Sequence, residues 1–324
     1  MTYLIKKIFV PIVFLFDLMG SILFFWTKMR NVPKKINKVL FVRLEHIGDM
    51  VLATPVFETF KKNNPGVEIT VLCRELTVPI IKNNPYVDKI ITYEAPWFIK
   101  RGAGKKSLWK LAAELRLEKF DVVFEMHGDP RNNFLAFMTD AYSIGYGCRG
   151  GGFFLNKIMD YNSKKHVIQQ NLSLIMNFSK KIYQETKIFT TKKQEEEALK
   201  IMRKHALKKD GFIIISPRSG RKEKDLTETE TENFINRYTN KKTKSIIAGS
   251  KSEVSKNKHF RKFINVIDLT GETDLPTIIC LVKNAKKVIA PDTGIIHIAK
   301  AVGTDFECIY KTTDLKVWGY EKTK

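Results

Sequence analysis

The sequence predicts an α/β chain: two doubly wound domains preceded by a hydrophobic N-terminal helix. Three observations predict it. From residue 38 onward, short apolar runs alternate with longer helix-patterned stretches, the pattern of a parallel sheet covered by helices. The alternation occurs twice, on either side of a charged, helix-patterned stretch at 166–209. A length of 324 residues suits two domains of roughly 150 residues each better than one core. The expected division is 1–37 for a membrane-anchoring helix and basic linker, 38–185 for the first domain and 186–324 for the second.

The N-terminal run "IFVPIVFLFDLMGSILFFW" at 8–26 is apolar apart from Asp17 and Ser21. As one helix it is roughly 28 Å long, close to a bilayer core. Asp17 stands at its midpoint, where a carboxylate costs about 3 kcal/mol on insertion. Helical phase puts Lys6, Asp17, Ser21 and Lys28 on one narrow stripe. A thin polar stripe on so apolar a helix suits a segment lying in the membrane interface. Lys28, Arg30, Lys34, Lys35 and Lys38 follow and would attract anionic lipid. Interfacial anchoring is the leading expectation. A spanning helix with a cytoplasmic C-terminal side is the second. No small-x-small cleavage site follows, which argues against a signal peptide.

In the first domain the strands are expected at 38–43, 68–74, 89–93 and 121–126, with helices near 48–63, 76–83 and 107–118. Gly-rich "GYGCRGGGF" at 145–153 reads as turn and spacer. Residues 166–209 read as helices, with "KKQEEEALK" at 192–200 as a solvated face. In the second domain the strands are expected at 212–216, 244–249, 266–270, 287–291 and 306–310. Its helices fill 228–238, 251–262, 274–284 and 294–302. Such sheets bind ligands beyond the C-terminal ends of their strands, so two facing domains would place one cleft between them.

Lys and Arg total 56 against 34 Asp and Glu, a formal charge of +22. That surplus points to an anionic partner: membrane phosphate, a phosphorylated substrate or nucleic acid. A compositional drift toward Lys is the plainer alternative. Aromatic residues do not interleave with the basic ones in recognition patches, so no nucleic-acid partner is expected. The four cysteines, Cys73, Cys148, Cys280 and Cys308, have no metal-ligand spacing and suit a reducing compartment. There is no zinc pattern, P-loop or G-x-G-x-x-G, and no metal site is expected.

Three stretches carry chemistry. In "APDTGIIHIAKAVGT" at 290–304, Asp292 is placed to N-cap a helix beginning near Thr293. The first-turn N–H groups at Thr293 and Gly294 then suit an anionic diphosphate; an ordinary capped helix is the alternative. In "SPRSGRKEKDLTETE" at 216–230, Arg218, Ser219, Gly220 and Lys224 form a loop that could neutralise phosphate. A solvated basic loop is the alternative. In "HIGDMVLATP" at 46–55, Gly48 and Asp49 follow directly on the first strand, with Gly48 expected to let the backbone turn tightly into the next helix.

"VRLEHIGDMVLATPVFETFKKNNPGVEITVL" at 42–72 resembles the opening of the bacterial ADP-heptose:lipopolysaccharide heptosyltransferase family, with its strand, Gly-Asp pair and helix carrying a Thr-x-Pro or Leu-Pro step. "NNPYVDKII" at 83–91 and "DVVFEMHGDPRNNFLAF" at 121–137 resemble later family steps, and the Lys224 loop resembles its phosphate loop. The stretch 270–304 is similar to its C-terminal signature. The resemblance covers about 38–320.

The resemblance implies a GT-B architecture, two Rossmann-like domains with a cleft between them, and inverting transfer of a sugar from a nucleotide diphosphate to an acceptor hydroxyl. No cofactor or metal is obligatory. Asp49 is the family-matched general base, and His46 and Gly48 line the acceptor side. Lys224 and the Thr293–Gly294 turn would stabilise the departing diphosphate. Asp292 would cap that turn and reach the donor sugar, and Ser219 and Glu253 would complete the donor site. His297 is expected to be a packed, hydrogen-bonded residue. The donor is a nucleotide-diphosphate sugar, with ADP-heptose expected. The acceptor is an anionic lipopolysaccharide-core or related glycolipid, met at the cytoplasmic face of the bacterial inner membrane by a peripheral or single-helix-anchored protein.

The chain departs from the family pattern at several points. Arg218 stands where the family has small residues, Leu226 where it often has Trp, and Asp305 in place of a frequent Pro. The chain adds an N-terminal hydrophobic segment. It stops soon after "YKTTDLKVWGY" at 310–320, where the family usually continues into a further helix. These departures motivate an alternative: a non-catalytic GT-B protein that binds nucleotide or glycolipid.

Overall fold

The computed structural model describes residues 4–98 and 107–320. The outermost parts of the expected first and last segments, 1–3 and 321–324, lie outside them. The chain divides into two compact units after Gln184.

The first unit runs α1 (Val10–Leu23), β1 (Lys38–Arg43), α2 (Ile47–Asn63), β2 (Glu68–Cys73), α3 (Val78–Ile81), β3 (Lys89–Thr92), α4 (Leu108–Leu117), β4 (Val122–Glu125), α5 (Pro130–Met138), β5 (Tyr142–Tyr146), β6 (Lys157–Met159) and α6 (Val167–Ser173). Its strands are parallel in the order β3-β2-β1-β4-β5-β6. The chain steps outward from β1 to β3, then returns to lay β4 against the other side of β1. The topological switch therefore falls between β1 and β4. Leu40 and Val42 pack toward Leu111 and Leu115 of α4. Phe41 stacks on Phe124 at 4.9 Å and meets Phe57 and Phe60 of α2 edge-on. Burial on both faces explains why these strands read as unbroken apolar runs.

Helix α2 carries Pro55 in its interior. Proline lacks the N–H that would bond the carbonyl four residues back. Here that carbonyl is Val51 O, and the Thr54 hydroxyl donates to it at 2.8 Å. The Thr-Pro step thus carries its own repair.

The second unit runs α7 (Lys192–Lys204), β7 (Phe212–Ile215), α8 (Glu228–Tyr238), β8 (Lys244–Ile247), α9 (Val254–Asn257), β9 (Val266–Asp268), α10 (Leu275–Asn284), β10 (Lys287–Pro291), α11 (Gly294–Val302), β11 (Asp305–Ile309) and α12 (Leu315–Trp318). Its strands are also parallel, in the order β11-β10-β7-β8-β9. The switch falls between β7 and β10. Ile213, Ile215, Ile247 and Ile289 form one core face with Ile235 and Phe260.

Three expectations are corrected. Residues 166–209 are not continuously helical: after α6 and a short turn the chain runs without helix over 182–190, until Thr191 caps α7. In this stretch the Tyr183 N–H donates to the Thr59 hydroxyl of α2 at 3.0 Å, and that hydroxyl donates to Tyr183 O at the same distance.

The second correction concerns the N-terminal run. Helix α1 has 14 residues, about 21 Å, and no described helix is long and apolar enough to cross a membrane. The helix ends because Phe24 leaves helical geometry (φ −117, ψ 26). Its ring enters an aromatic cluster with Phe137, Phe153 and Phe154 at 5.1–5.5 Å.

The third correction is the Gly-rich stretch, which is more than a spacer. It contains the end of β5 and then cradles α1. Gly151, at φ +71, donates its N–H to Asp17 Oδ1 at 2.7 Å. The midpoint acid therefore points into the protein. The Thr27 hydroxyl donates to Phe153 O at 2.9 Å, and Asn156 Nδ2 donates to Thr27 O at 2.6 Å.

Gly20 sets the helix-to-loop distance, since a Cβ there would stand 2.3 Å from the Phe153 ring. Gly20→Ala should destabilise the first unit. Overpacking costs about 1–3 kcal/mol against about 1 kcal/mol gained in helix propensity. Urea unfolding reads the sign: a stabilised variant would show that the ring simply moves aside.

Candidate active site

The first unit gathers its ionisable side chains at the switch point. Val42 pairs with Glu125 across β1 and β4, so the residues following both strands emerge side by side. Past β1 come Leu44, Glu45 and His46; His46 is the N-cap of α2 and is exposed. Gly48 lies inside the first turn of α2, in ordinary helical geometry, and not at a tight bend as its spacing suggests. Asp49 is the third helical residue. Its Oδ2 accepts from the His46 N–H at 3.1 Å, and its Oδ1 lies 3.3 Å from Arg43 Nη2. The acid thus does part of a capping residue's work while its side chain keeps 16% exposure.

Arg43 is buried and stands between two acids. Its Nε lies 3.2 Å from Glu45 Oε2, and its Nη1 donates to Met126 O at 2.8 Å. Glu45 Oε1 in turn lies 3.2 Å from His127 Nδ1. Glu125 accepts from the N–H groups of His127 and Gly128 and from Asn132 Nδ2. Burial pushes Glu45 up to about 7; the Arg43 charge opposes this and the Asp49 charge adds to it. Burial and then the Glu45 charge push Glu125 up to about 8. Burial, followed by the Arg149 and Arg43 charges, takes His127 down to about 3, so its ring is neutral near pH 7. Like-charged neighbours in a dry site do not both ionise, and the two glutamates together carry less than two charges at neutral pH.

A stability profile follows. An unfolded Glu ionises near about pH 4.3, whereas folded Glu125 holds its proton to about 8. Between these values the native state binds more protons than the unfolded one, so stability is lost as pH rises through that window. The urea midpoint should fall between about pH 5 and about pH 8, and Glu125→Gln should flatten the slope. An unchanged slope in the variant would remove Glu125 as its source.

The second unit has its own cluster at its own switch point. The loop after β7 delivers Lys224, and the loop after β10 delivers Asp292, with Lys224 Nζ and Asp292 Oδ2 2.8 Å apart. Both side chains are largely buried, at 15% and 7% exposure. Asp292 Oδ1 faces His297 Nε2 at 3.6 Å, and His297 Nδ1 hydrogen-bonds the Tyr320 hydroxyl at 2.7 Å. Burial raises the Tyr320 phenol well above its ordinary value. His297 is packed and hydrogen-bonded within this chain of contacts.

Asp292 does not cap α11. The N-cap is Thr293, one residue later, and its hydroxyl donates to Pro291 O at 3.2 Å. No described side chain caps the helix. Asp292 is held instead by Lys224, a partner 68 positions away. The first turn at Gly294 is consequently left with the unsatisfied N–H groups that attract anions.

The remaining donor-side residues serve the loops that carry them. The Ser219 N–H donates to Asp225 Oδ1 at 2.7 Å, and its hydroxyl accepts from the Arg221 N–H at 3.0 Å. Glu253 Oε2 accepts from the Ser250 N–H at 2.7 Å, closing a capping box past β8. Arg218 is a brace: its guanidinium donates to Asn257 Oδ1, Leu226 O and Lys256 O. Among the described residues, no group of three or more His, Cys, Asp or Glu is placed to hold a metal ion.

Sequence reasoning missed Arg43, Glu45, Glu125 and His127. Their one signal is a pair of acids just past two apolar runs, and it becomes legible only when β1 and β4 are known to be neighbours.

The family model of glycosyltransferase family 9 (heptosyltransferase) matches residues 108–323. Lipopolysaccharide heptosyltransferase 3 of Escherichia coli (strain K12) is 24% identical over 296 residues, covering 85% of this chain and 83% of that protein. Among solved structures, a family 9 glycosyl transferase from Veillonella parvula aligns with a TM-score of 0.78 at 18% identity. That alignment covers 87% of this chain and 83% of the other. The E. coli heptosyltransferase WaaC with ADP-2-deoxy-2-fluoro heptose aligns with a TM-score of 0.70 at 18% identity, over 86% and 90% of the two chains. The chain shares with these structures a GT-B-like two-domain α/β fold. The family match takes in the whole second cluster with Glu125 and His127, and spans well over half the chain, which therefore belongs to glycosyltransferase family 9, the heptosyltransferases, and is a glycosyltransferase.

Proposed function

We propose that the chain transfers a heptose or related sugar from a nucleotide diphosphate to a hydroxyl of a lipopolysaccharide-core or related glycolipid, with inversion at the anomeric carbon. The first unit, from about residue 38, is the acceptor domain in this reading, and the second binds the nucleotide sugar. The observation that carries the proposal is the placing of opposite chemistries at two switch points. A carboxylate, Asp49, stands at one. A cation, Lys224, and an uncapped helix start stand at the other.

In the reaction the acceptor hydroxyl gives its proton to an Asp49 oxygen as its own oxygen bonds to the anomeric carbon. The bond from that carbon to the diphosphate breaks on the opposite face, and the electron pair leaves with the phosphate. Lys224 and the N–H groups of the Thr293–Gly294 turn receive the developing charge, so the reading requires no metal. Asp292 holds Lys224 in place and faces the donor sugar. Ser219 shapes the loop that carries Lys224, and Glu253 stands beyond β8 for the nucleoside hydroxyls. His46 and Gly48 line the acceptor side.

ADP-heptose is the donor this reading favours, supported by the ADP-sugar in the WaaC structure. The acceptor's phosphates suit the chain's surplus of cations, and the place of work is the cytoplasmic face of the bacterial inner membrane, with the protein held peripherally.

Lys224→Met tests the donor side. A hydrogen bond to a charged group is worth about 1.5–3 kcal/mol, so the Kd for nucleotide diphosphate should rise roughly 10- to 150-fold. Titration by thermal shift against ADP-, UDP- and GDP-sugars reads both the loss and the preferred base. Unchanged affinity for every donor would remove Lys224 from the phosphate site.

A further inference from the structure

The outer face of α1 has no covering among the described residues. Helical phase spreads Phe14, Leu18, Ile22, Leu15, Ile12 and Phe9 over an arc of about 220°, and each is roughly half exposed or more. The remaining arc, at Val13, Asp17, Gly20 and Phe24, is the one turned to the protein. An apolar surface this continuous on a soluble-type fold marks an interaction site.

Its charges select the partner. Asp17 is the single acid before Glu45, and it is buried against the Gly151 N–H. Lys6 and Lys7 are exposed where the helix begins, and Arg30, Lys34 and Lys35 are exposed after it ends. Beside that end, Trp26 and Trp109 border a groove of about 500 Å³ shared with Arg30 and Arg116. Asp140 pairs with both arginines, at 3.2 and 3.6 Å. Half-exposed Trp beside Arg is the composition of a headgroup layer.

We propose that α1 is a monotopic bilayer-docking surface. The helix lies in the plane of an anionic membrane with its outer arc among the acyl chains, while Trp26, Trp109 and the flanking cations sit at the phosphates. A convex apolar arc wider than half a helix favours this partner over a second copy of the chain. A flat protein face touches one side of such a ridge, whereas lipid chains close around it. The latch at Asp17 and the cradle at 150–154 fix the helix to the first unit, so insertion would also hold that unit at a set angle to the membrane. The proposal draws its purpose from the glycolipid-acceptor reading, but its test involves no turnover.

Purified full-length protein is floated with vesicles of phosphatidylethanolamine and phosphatidylglycerol, and separately of phosphatidylcholine alone. The parent should float with the anionic vesicles and more weakly with the neutral ones. Ile12→Asp/Ile22→Asp touches the outer arc only and should weaken partition at least about tenfold. Lys34→Glu/Lys35→Glu should weaken binding to the anionic vesicles by roughly fivefold or more per position, and added salt should reduce the difference. A circular-dichroism spectrum and urea midpoint matching the parent show that the first unit of each variant is folded. A parent that stays with the soluble fraction overturns the proposal. So does an Asp variant that floats like the parent. A parent that is dimeric by light scattering, with only its dimerisation lost in the Asp variant, assigns the face to a second copy and also overturns it. Flotation as expected, with no transfer from any nucleotide sugar, leaves the surface standing and rejects the catalytic reading.

Discussion

Asp49→Asn is expected to lower kcat by about 10²–10⁴-fold, the usual contribution of a positioned general base, while nucleotide-diphosphate affinity stays within a few fold. Asn keeps the shape of the side chain. Its amide oxygen can still accept from the His46 N–H, where Asp49 Oδ2 accepts now at 3.1 Å, so the first turn of α2 keeps its contact. What is lost is the ability to take a proton and, at the other oxygen, the ion pair with Arg43 at 3.3 Å. The acceptor's KM should change little, because the hydroxyl can still hydrogen-bond the amide. The measurement is steady-state transfer with donor and acceptor titrated separately, beside donor binding by thermal shift. A variant with full kcat would leave Asp49 as a helix-capping residue and nothing more. A variant that lost donor binding as well would point to misfolding, and circular dichroism would separate that case.

Much of this was legible in the sequence, for physical reasons that differ between parts. The interior strands β1, β2, β7 and β10 are buried on both faces, so their runs stand out against the helices. β5 and β6 did not: "YSIGY" is broken by Gly145, and β6 has only three residues. The Lys224 and Asp292 loops each read as phosphate-binding. Their contact with one another depends on β7 lying beside β10, which local pattern does not encode. Asp292 looked like a cap because it precedes a helix. Its pairing with Lys224, and a helix start one residue later, changed its role. The same limit hid the Glu45–Arg43–His127 group, whose members come from two segments about 80 residues apart along the chain. For α1, helical phase gathered Lys6, Asp17, Ser21 and Lys28 into one stripe, but Lys6 and Lys28 lie outside the helix, and Ser21 is exposed where Asp17 is buried. It did not reveal that the acid at its centre meets a backbone N–H of the protein.

That buried group sets the second large expectation. At about pH 8, above the value of about 7 that Glu45 holds beside Arg43, Arg43→Met should destabilise the first unit by up to about 3–5 kcal/mol, the usual result of removing one partner from a buried ion pair. Arg43 is 4% exposed and Glu45 3%. Without the guanidinium, Glu45 keeps His127 as a neighbour at 3.2 Å, but that imidazole is held neutral by burial and returns no positive charge. Met126 O also loses its 2.8 Å donor, and Asp49 loses its ion-pair partner. Adding Glu45→Gln should recover a substantial part of the loss, since a neutral amide leaves no orphaned charge in the dry site. Urea unfolding of the two single variants and the double variant gives the coupling directly. Additive single losses would show that Arg43 acts through its packing and its bond to Met126. A strong coupling would show that it stands where it does to neutralise Glu45, so that Asp49, on its other side, is held by a cation whose charge is already largely balanced.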